Sequence, residues 1–184
     1  MRIIIKLKSI IMKKPFVLKA FSFVVCALLF SSTLIQAQEK PVASPADSVS
    51  GKVGNAMIEI KYGSPSVKGR KIWGGLEAYG KVWRAGANKA TTFSTDKDIK
   101  VEGKSLPAGR YSFFAIPTEG NWTIIFNKTA DQWGAYKYEE SQDALRVTVS
   151  PKKASALKER LTYVINKKGV VLQWENIEVP ISIK

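Results

Sequence analysis

Nine short runs of β-forming residues, each closed by turn residues, limit this chain to few architectures. They occupy residues 56–62, 91–95, 99–101, 110–116, 121–127, 144–149, 161–166, 170–175 and 177–183. Strands of this length and spacing belong to a sandwich or barrel, and the pattern predicts a single antiparallel β-sandwich, all-β, with a long ordered loop and at most one or two short helices. Leu145, Val147 and Val149 alternate with Arg146 and Thr148, the period of a strand with one wet face. Ile177, Val179, Ile181 and Ile183 repeat the pattern against Glu178, Ser182 and Lys184, with Pro180 on the polar side removing a ladder donor, as at an edge or bulge. Residues 111–116 and 122–126 carry large groups on both faces, as central strands covered on both sides do.

The turns agree with this pattern. Leu106-Pro107-Ala108-Gly109 pre-sets a turn with proline and closes it with glycine, while Glu119-Gly120-Asn121 and Lys168-Gly169 suit hairpin connections. Helix is expected only as one turn at residues 75–79 and two turns at 152–160, KKASALKER.

The N-terminus has a different logic. An apolar stretch, residues 16–35, follows Lys13-Lys14, contains no acid and ends in Ile35-Gln36-Ala37, which predicts a signal peptide over 1–37 cleaved after Ala37. Met12 would open a conventional leader, so initiation there is an alternative to Met1. Val25 before Cys26 argues against lipidation. Residues 38–50, rich in Pro, Ser and Ala, read as a flexible linker, and 51–184 as the single sandwich domain. The expectation is export to the periplasm or beyond, with no retained membrane span.

Removal of residues 1–37 takes away the single cysteine and leaves 23 basic against 15 acidic residues, a charge of +8, with no histidine anywhere. Hydrolases of the Ser-His-Asp or Cys-His type have no base to use here. A zinc site would have only carboxylates, which is unusual for zinc. The lysines are scattered, with no block of five like charges, and read as a solvated surface rather than a dedicated site for a polyanion such as lipid headgroups, an acidic glycan or nucleic acid. No cofactor motif and no phosphate-cradling glycine loop before a helix occurs.

Two segments stand out as non-strand yet rich in aromatics. Within residues 63–88, Trp83-Arg84-Ala85-Gly86-Ala87-Asn88 combines an aromatic platform, a fixed cation and an amide with small residues that let a ligand approach the backbone. The same residues have a structural reading, in which Trp83 fills the end of the core and Arg84 hydrogen-bonds loop carbonyls. Residues 127–136 set Trp133 beside Gly134, with Tyr136 following, suited to stacking on a sugar ring or to capping the core. The acids Asp131, Glu139, Glu140 and Asp143 form the one local carboxylate cluster and read as solvated loop acids.

The run from Ser64 through Lys71-Ile72-Trp73-Gly74-Gly75-Leu76, the run Tyr79-Gly80-Lys81-Val82-Trp83-Arg84-Ala85-Gly86-Ala87-Asn88, then Leu106-Pro107-Ala108-Gly109-Arg110-Tyr111 and Trp133-Gly134-Ala135-Tyr136 resemble the domain-of-unknown-function 2911 family of exported bacterial proteins. The resemblance covers roughly residues 49–183. It implies export and one mostly β domain, and it supplies no reaction.

Three functions fit the residues. The favoured one is a non-catalytic binding module in which Trp83, Arg84, Asn88, Trp133 and Tyr136 converge on an envelope glycan or small polar ligand. The second is a structural or protein-interaction domain of the cell envelope, pairing through a sheet edge near residues 177–183. The third is a carboxylate-based glycosidase, which requires an acid pair flanking a cleft.

Overall fold

Strands with a period of two must bury one face and pair along both edges, and this chain does so by pairing antiparallel throughout. The computed structural model describes residues 42–184. The expected signal and the first residues of the expected linker lie outside them. The strands are β1 (Ala46–Val53), β2 (Ala56–Gly63), β3 (Thr91–Thr95), β4 (Ile99–Val101), β5 (Lys104–Leu106), β6 (Gly109–Ile116), β7 (Trp122–Asn127), β8 (Asp143–Val149), β9 (Lys152–Asn166) and β10 (Gly169–Ser182). A single 3-10 turn, Glu140–Gln142, precedes β8. Among the described residues no helix is long and apolar enough to cross a membrane.

Six strands form one sheet in the order β1-β2-β3-β6-β7-β8, and β9 with β10 forms a long hairpin that makes the second layer. Ile58, Ile60, Phe93, Phe113, Phe126 and Val147 from the sheet share one hydrophobic cluster with Leu161, Tyr163, Leu172, Trp174, Val179 and Ile181 from the hairpin. Burying each such side chain contributes about 1.5–3 kcal/mol. The molecule is therefore a single antiparallel β-sandwich, as the strand spacing predicts. The central pair is covered on both faces, also as predicted: Phe114 and Ile125, opposite each other across β6 and β7, pack on the outer side with Ala90, Val82, Ala135 and Tyr138.

Four local expectations are corrected. The linker ends sooner than expected, because Ala46–Ser50 belong to β1 and pair with residues 59–63 of β2. Residues 152–160 are extended rather than helical, since β9 finds partners on both sides: Lys152, Lys153 and Lys158 pair with β10, while Val67 N–H donates to the Glu159 carbonyl at 2.7 Å and Leu161 N–H to that of Pro65 at 3.0 Å. Residues 75–79 form tight turns, with the Glu77 N–H donating to the Ile72 carbonyl at 2.9 Å. The two last expected strands are one strand, β10, and its irregularity sits between Gln173 and Ile177, where Glu175 has φ +55°, rather than at Pro180.

Those bulges bend the hairpin sharply. Thr162 pairs with Gln173, Lys158 with Glu175 and Lys153 with Ile177, so β9 spends nine residues where β10 spends four. The end of β10 thereby returns to its own start. The Ile183 N–H donates to the Lys168 carbonyl at 3.0 Å, and Gly169 lies so close to Ile181 that a Cβ there would fall 2.1 Å from its carbonyl oxygen. Beyond it, Lys184 and Lys100 exchange backbone hydrogen bonds at 2.8 and 2.9 Å, so the edge invoked for a partner strand is already occupied there by β4.

Candidate functional site

The long segment between β2 and β3 is built onto the sandwich by its aromatics. Trp83 exchanges backbone hydrogen bonds with Ala115 of β6 at 2.7 and 2.9 Å. Its ring stacks on Trp174 at 5.8 Å and meets Trp73 edge-on at 5.4 Å, while Trp73 also packs against Trp122 at 4.6 Å. Four of the five tryptophans thus form one buried cluster joining sheet, hairpin and loop. Beside it, burial pushes the Glu77 carboxyl up to about 7, against the opposing pull of Arg84 and Arg70.

The segment after β7 is tied down by polar groups. The buried Asn127 amide donates to the Glu139 carbonyl at 3.0 Å and to Asp143 Oδ1 at 2.8 Å, and its Oδ1 accepts from the Thr129 N–H at 3.1 Å. Asp143 further accepts from the Tyr138 hydroxyl at 2.7 Å, and burial, reinforced by this hydrogen bond, raises the tyrosine's pKa. Arg146 forms ion pairs with Glu140 and Asp143. Asp143, its side chain only 7% exposed, and Glu140 therefore clamp the loop; Asp131, Glu139 and Glu140 are exposed, as expected of loop acids. Ser112 on β6 donates to the Thr129 carbonyl at 2.7 Å and completes the anchor.

So held, the two segments meet as a short ladder. The Ala90 N–H donates to the Gln132 carbonyl at 3.0 Å and the Gly134 N–H to that of Asn88 at 3.1 Å, pairing Lys89 with Trp133. Asn88 and Gly134 both take φ near +64°, where a small side chain or an asparagine is tolerated. The ladder leaves Trp133 60% exposed at the edge of a cleft of about 660 Å³ between the sheet and the loops. Gly63 brings the backbone of β2 against Ala87 at the floor, where a Cβ would lie 2.3 Å from the Ala87 carbonyl oxygen.

Fixed polar groups surround that floor. Arg110 on β6 grips Asp131 with both arms of its guanidinium, at 2.7 and 2.9 Å. Across β1 and β2, the Tyr62 hydroxyl donates to Asp47 Oδ2 at 2.9 Å, while Asp47 Oδ1 accepts from the Ser48 N–H at 2.8 Å. Burial, together with this carboxylate, pushes Tyr62 up to about 12. The cleft thus offers one flat apolar face, carboxylate oxygens already oriented, and the amide of Asn88, whose Nδ2 donates to the Ser44 carbonyl at 3.3 Å.

Of the five residues singled out in the sequence, Asn88 and Trp133 line this cleft. Trp83 does not: it is 4% exposed and belongs to the core, so it offers no platform to an outside ligand. Arg84 and Tyr136 do not line the cleft but lie against Gly134, whose hypothetical Cβ would sit 3.1 Å from Arg84 Nη1 and 3.0 Å from the Tyr136 ring, with Tyr136 itself 80% exposed. Arg84 Nε donates to the Gly86 carbonyl at 3.3 Å, the structural role foreseen for it. Sequence reasoning missed Asp47, Tyr62 and Arg110, and took Asp131 only for a solvated loop acid. Gly54-Asn55, a two-residue hairpin signal, marks β1 and with it Asp47.

These features define an all-β sandwich with an open, largely apolar cleft at a tryptophan edge, with oriented charged groups among its lining. The chain belongs to the family described as protein of unknown function (DUF2911), whose model matches residues 44–183. No curated protein and no solved structure matches the chain.

Proposed function

We propose that this protein is a non-catalytic binding module whose cleft takes a neutral glycan or a similar small polyhydroxylated ligand. The carrying observation is the exposed Trp133 indole beside oriented carboxylates, since one apolar face of a sugar stacks on an indole while its hydroxyls donate to planar acceptors. Binding is favoured over glycoside hydrolysis because both cleft carboxylates are engaged: Asp131 by the Arg110 fork, Asp47 by a hydroxyl and a backbone N–H. Each retains lone pairs for a ligand but neither stands free as an acid or nucleophile. The alternative, a structural partner of the cell envelope, has less support, because the end of β10 is paired within the chain.

The reading includes export, with maturation after Ala37, supported by the leader's Lys13-Lys14, its acid-free apolar stretch and its small terminal residue. The intact mass of protein recovered from the envelope fraction tests that step. An unprocessed mass would remove it.

Trp133 supplies the binding assay, because the other four tryptophans are buried. Titration with gluco-, chito- and xylo-oligosaccharides is expected to blue-shift the red-edge emission and shield it from acrylamide. Trp133→Ala should abolish binding with stability changed by no more than about 0.5 kcal/mol, the usual limit for an exposed position. Arg84→Ala, outside the cleft lining, should keep the affinity while losing about 1 kcal/mol of stability. A panel without any saturable change, or binding that survives Trp133→Ala, would count against the reading.

A further inference from the structure

A second concavity shares no lining residue with the sugar cleft. It measures about 700 Å³ and lies in the bend of the β9–β10 hairpin. Lys152 opens β9 and Lys167 follows its end; on a straight strand the two would stand about 50 Å apart. The bulges at Trp174–Ile177 and the return of Ile183 to Lys168 bring both to one cleft, together with Lys168 and Lys184. All four lysines are exposed, and among the described residues no carboxylate lies within ion-pair reach of any of them. The one acidic side chain at the cleft, Glu102, is exposed and has Oε1 accepting from the Ser182 N–H at 2.6 Å, so it offsets part of the lysine charge. A neighbouring cleft of about 500 Å³ shares Lys167 and Lys184 and adds Lys97 together with Asp98, whose Oδ1 accepts from the Ala108 N–H, so lysines outnumber acids there three to one and the track stays positive.

We propose that this track binds a soluble anionic polysaccharide through its repeated carboxylate or sulfate groups. Four unpaired ammonium groups around one concavity repel one another, and a polyanion relieves that repulsion. Lysines are point charges that impose no planar fork, so recognition follows charge spacing rather than the shape of one acid group. Two other polyanions fit less well. Nucleic acid would want aromatic side chains for stacking, and the cleft has none. A membrane surface would want exposed apolar anchors, and none of the large exposed hydrophobics, such as Met57, Leu157 and Val164, lines it.

The test uses the full mature chain with polygalacturonate, dextran sulfate, neutral dextran, single-stranded DNA and phosphatidylglycerol vesicles. Polygalacturonate or dextran sulfate should bind at low salt and neutral dextran should not, with affinity falling about tenfold or more as sodium chloride rises from about 50 to 500 mM. The triple variant Lys167→Gln, Lys168→Gln, Lys184→Gln should lose about tenfold or more, and the single Lys168→Gln and Lys184→Gln changes a part of that. A control with Lys71→Gln, Lys81→Gln and Lys128→Gln removes the same charge elsewhere and should bind as the unaltered protein does. Equal losses in the two triple variants would reduce the effect to net charge and overturn the proposal. So would tighter binding to DNA or to vesicles than to either polysaccharide, or binding indifferent to salt. Because the sugar assay reads Trp133, loss of one site leaves the other measurable.

Discussion

Glu77 is the carboxyl group whose environment opposes its charge. It sits on the turn beneath the tryptophan cluster, and burial outweighs the attraction of Arg70 and Arg84, so its folded pKa of about 7 stands above the ordinary 4.5. Between those two values the folded chain holds more protons than the unfolded chain, and stability therefore falls as pH rises. The group's contribution is whole below pH 4.5 and is lost through about pH 7. Glu77→Gln keeps the shape and removes the titration. Its melting temperature should exceed that of the unaltered protein at pH 8 and lose that advantage at pH 4.5. A difference that is the same at both pH values would show that the carboxyl is solvated after all.

At the scale of elements, the bent hairpin depends on one backbone approach. Gly169 has φ +136° and leaves no room for a Cβ against the Ile181 carbonyl, whereas Gly54, also at positive φ (+57°), faces open space. Gly54→Ala should cost about 1 kcal/mol, the conformational penalty alone, and Gly169→Ala about 3 kcal/mol or more, because the returning strand end must move away. Urea unfolding of the two variants compares them directly, and similar losses would refute the close approach. This same bend explains what the sequence hid. Strands β2, β3, β4, β6, β7 and β8 were legible because alternation and turn residues are local signals, and they sit where they were expected. The first half of β9 was not, since Ala154, Leu157 and Glu159 favour a helix in isolation and only pairing with β10 and Pro65–Val67 extends them. Likewise Asn88 and Trp133 announced themselves as polar and aromatic groups in non-strand segments. Asp131 read as a solvated loop acid and Asp47 and Arg110 carried no local signal, until the sheet order brought their segments to one cleft.

For the whole molecule, the decisive fact is that the main core is shared between the layers, the sheet keeping for itself only the small outer cluster around Phe114 and Ile125. The hairpin contributes one wall of the single large cluster, and the tryptophans draw Trp122 from the sheet, Trp174 from the hairpin and Trp73 and Trp83 from the loop. Connections between the layers span long stretches of chain: the Ser64 hydroxyl donates to the Leu161 carbonyl 97 positions away, at 2.8 Å. No cysteine lies between residues 42 and 184, so no disulfide holds either layer in place when the other departs. Unfolding should accordingly be a single transition. Far-UV circular dichroism, which follows the strands, and tryptophan emission, which follows the junction of all three parts, should share a midpoint within about 1 °C. Removal of residues 152–184 should leave a chain that binds a hydrophobic dye and lacks a cooperative melt, because Phe113, Phe126 and Trp122 would face water. If that truncated chain instead melts cooperatively, the six-stranded sheet has a stability of its own, and the hairpin is an addition to it rather than half of the fold.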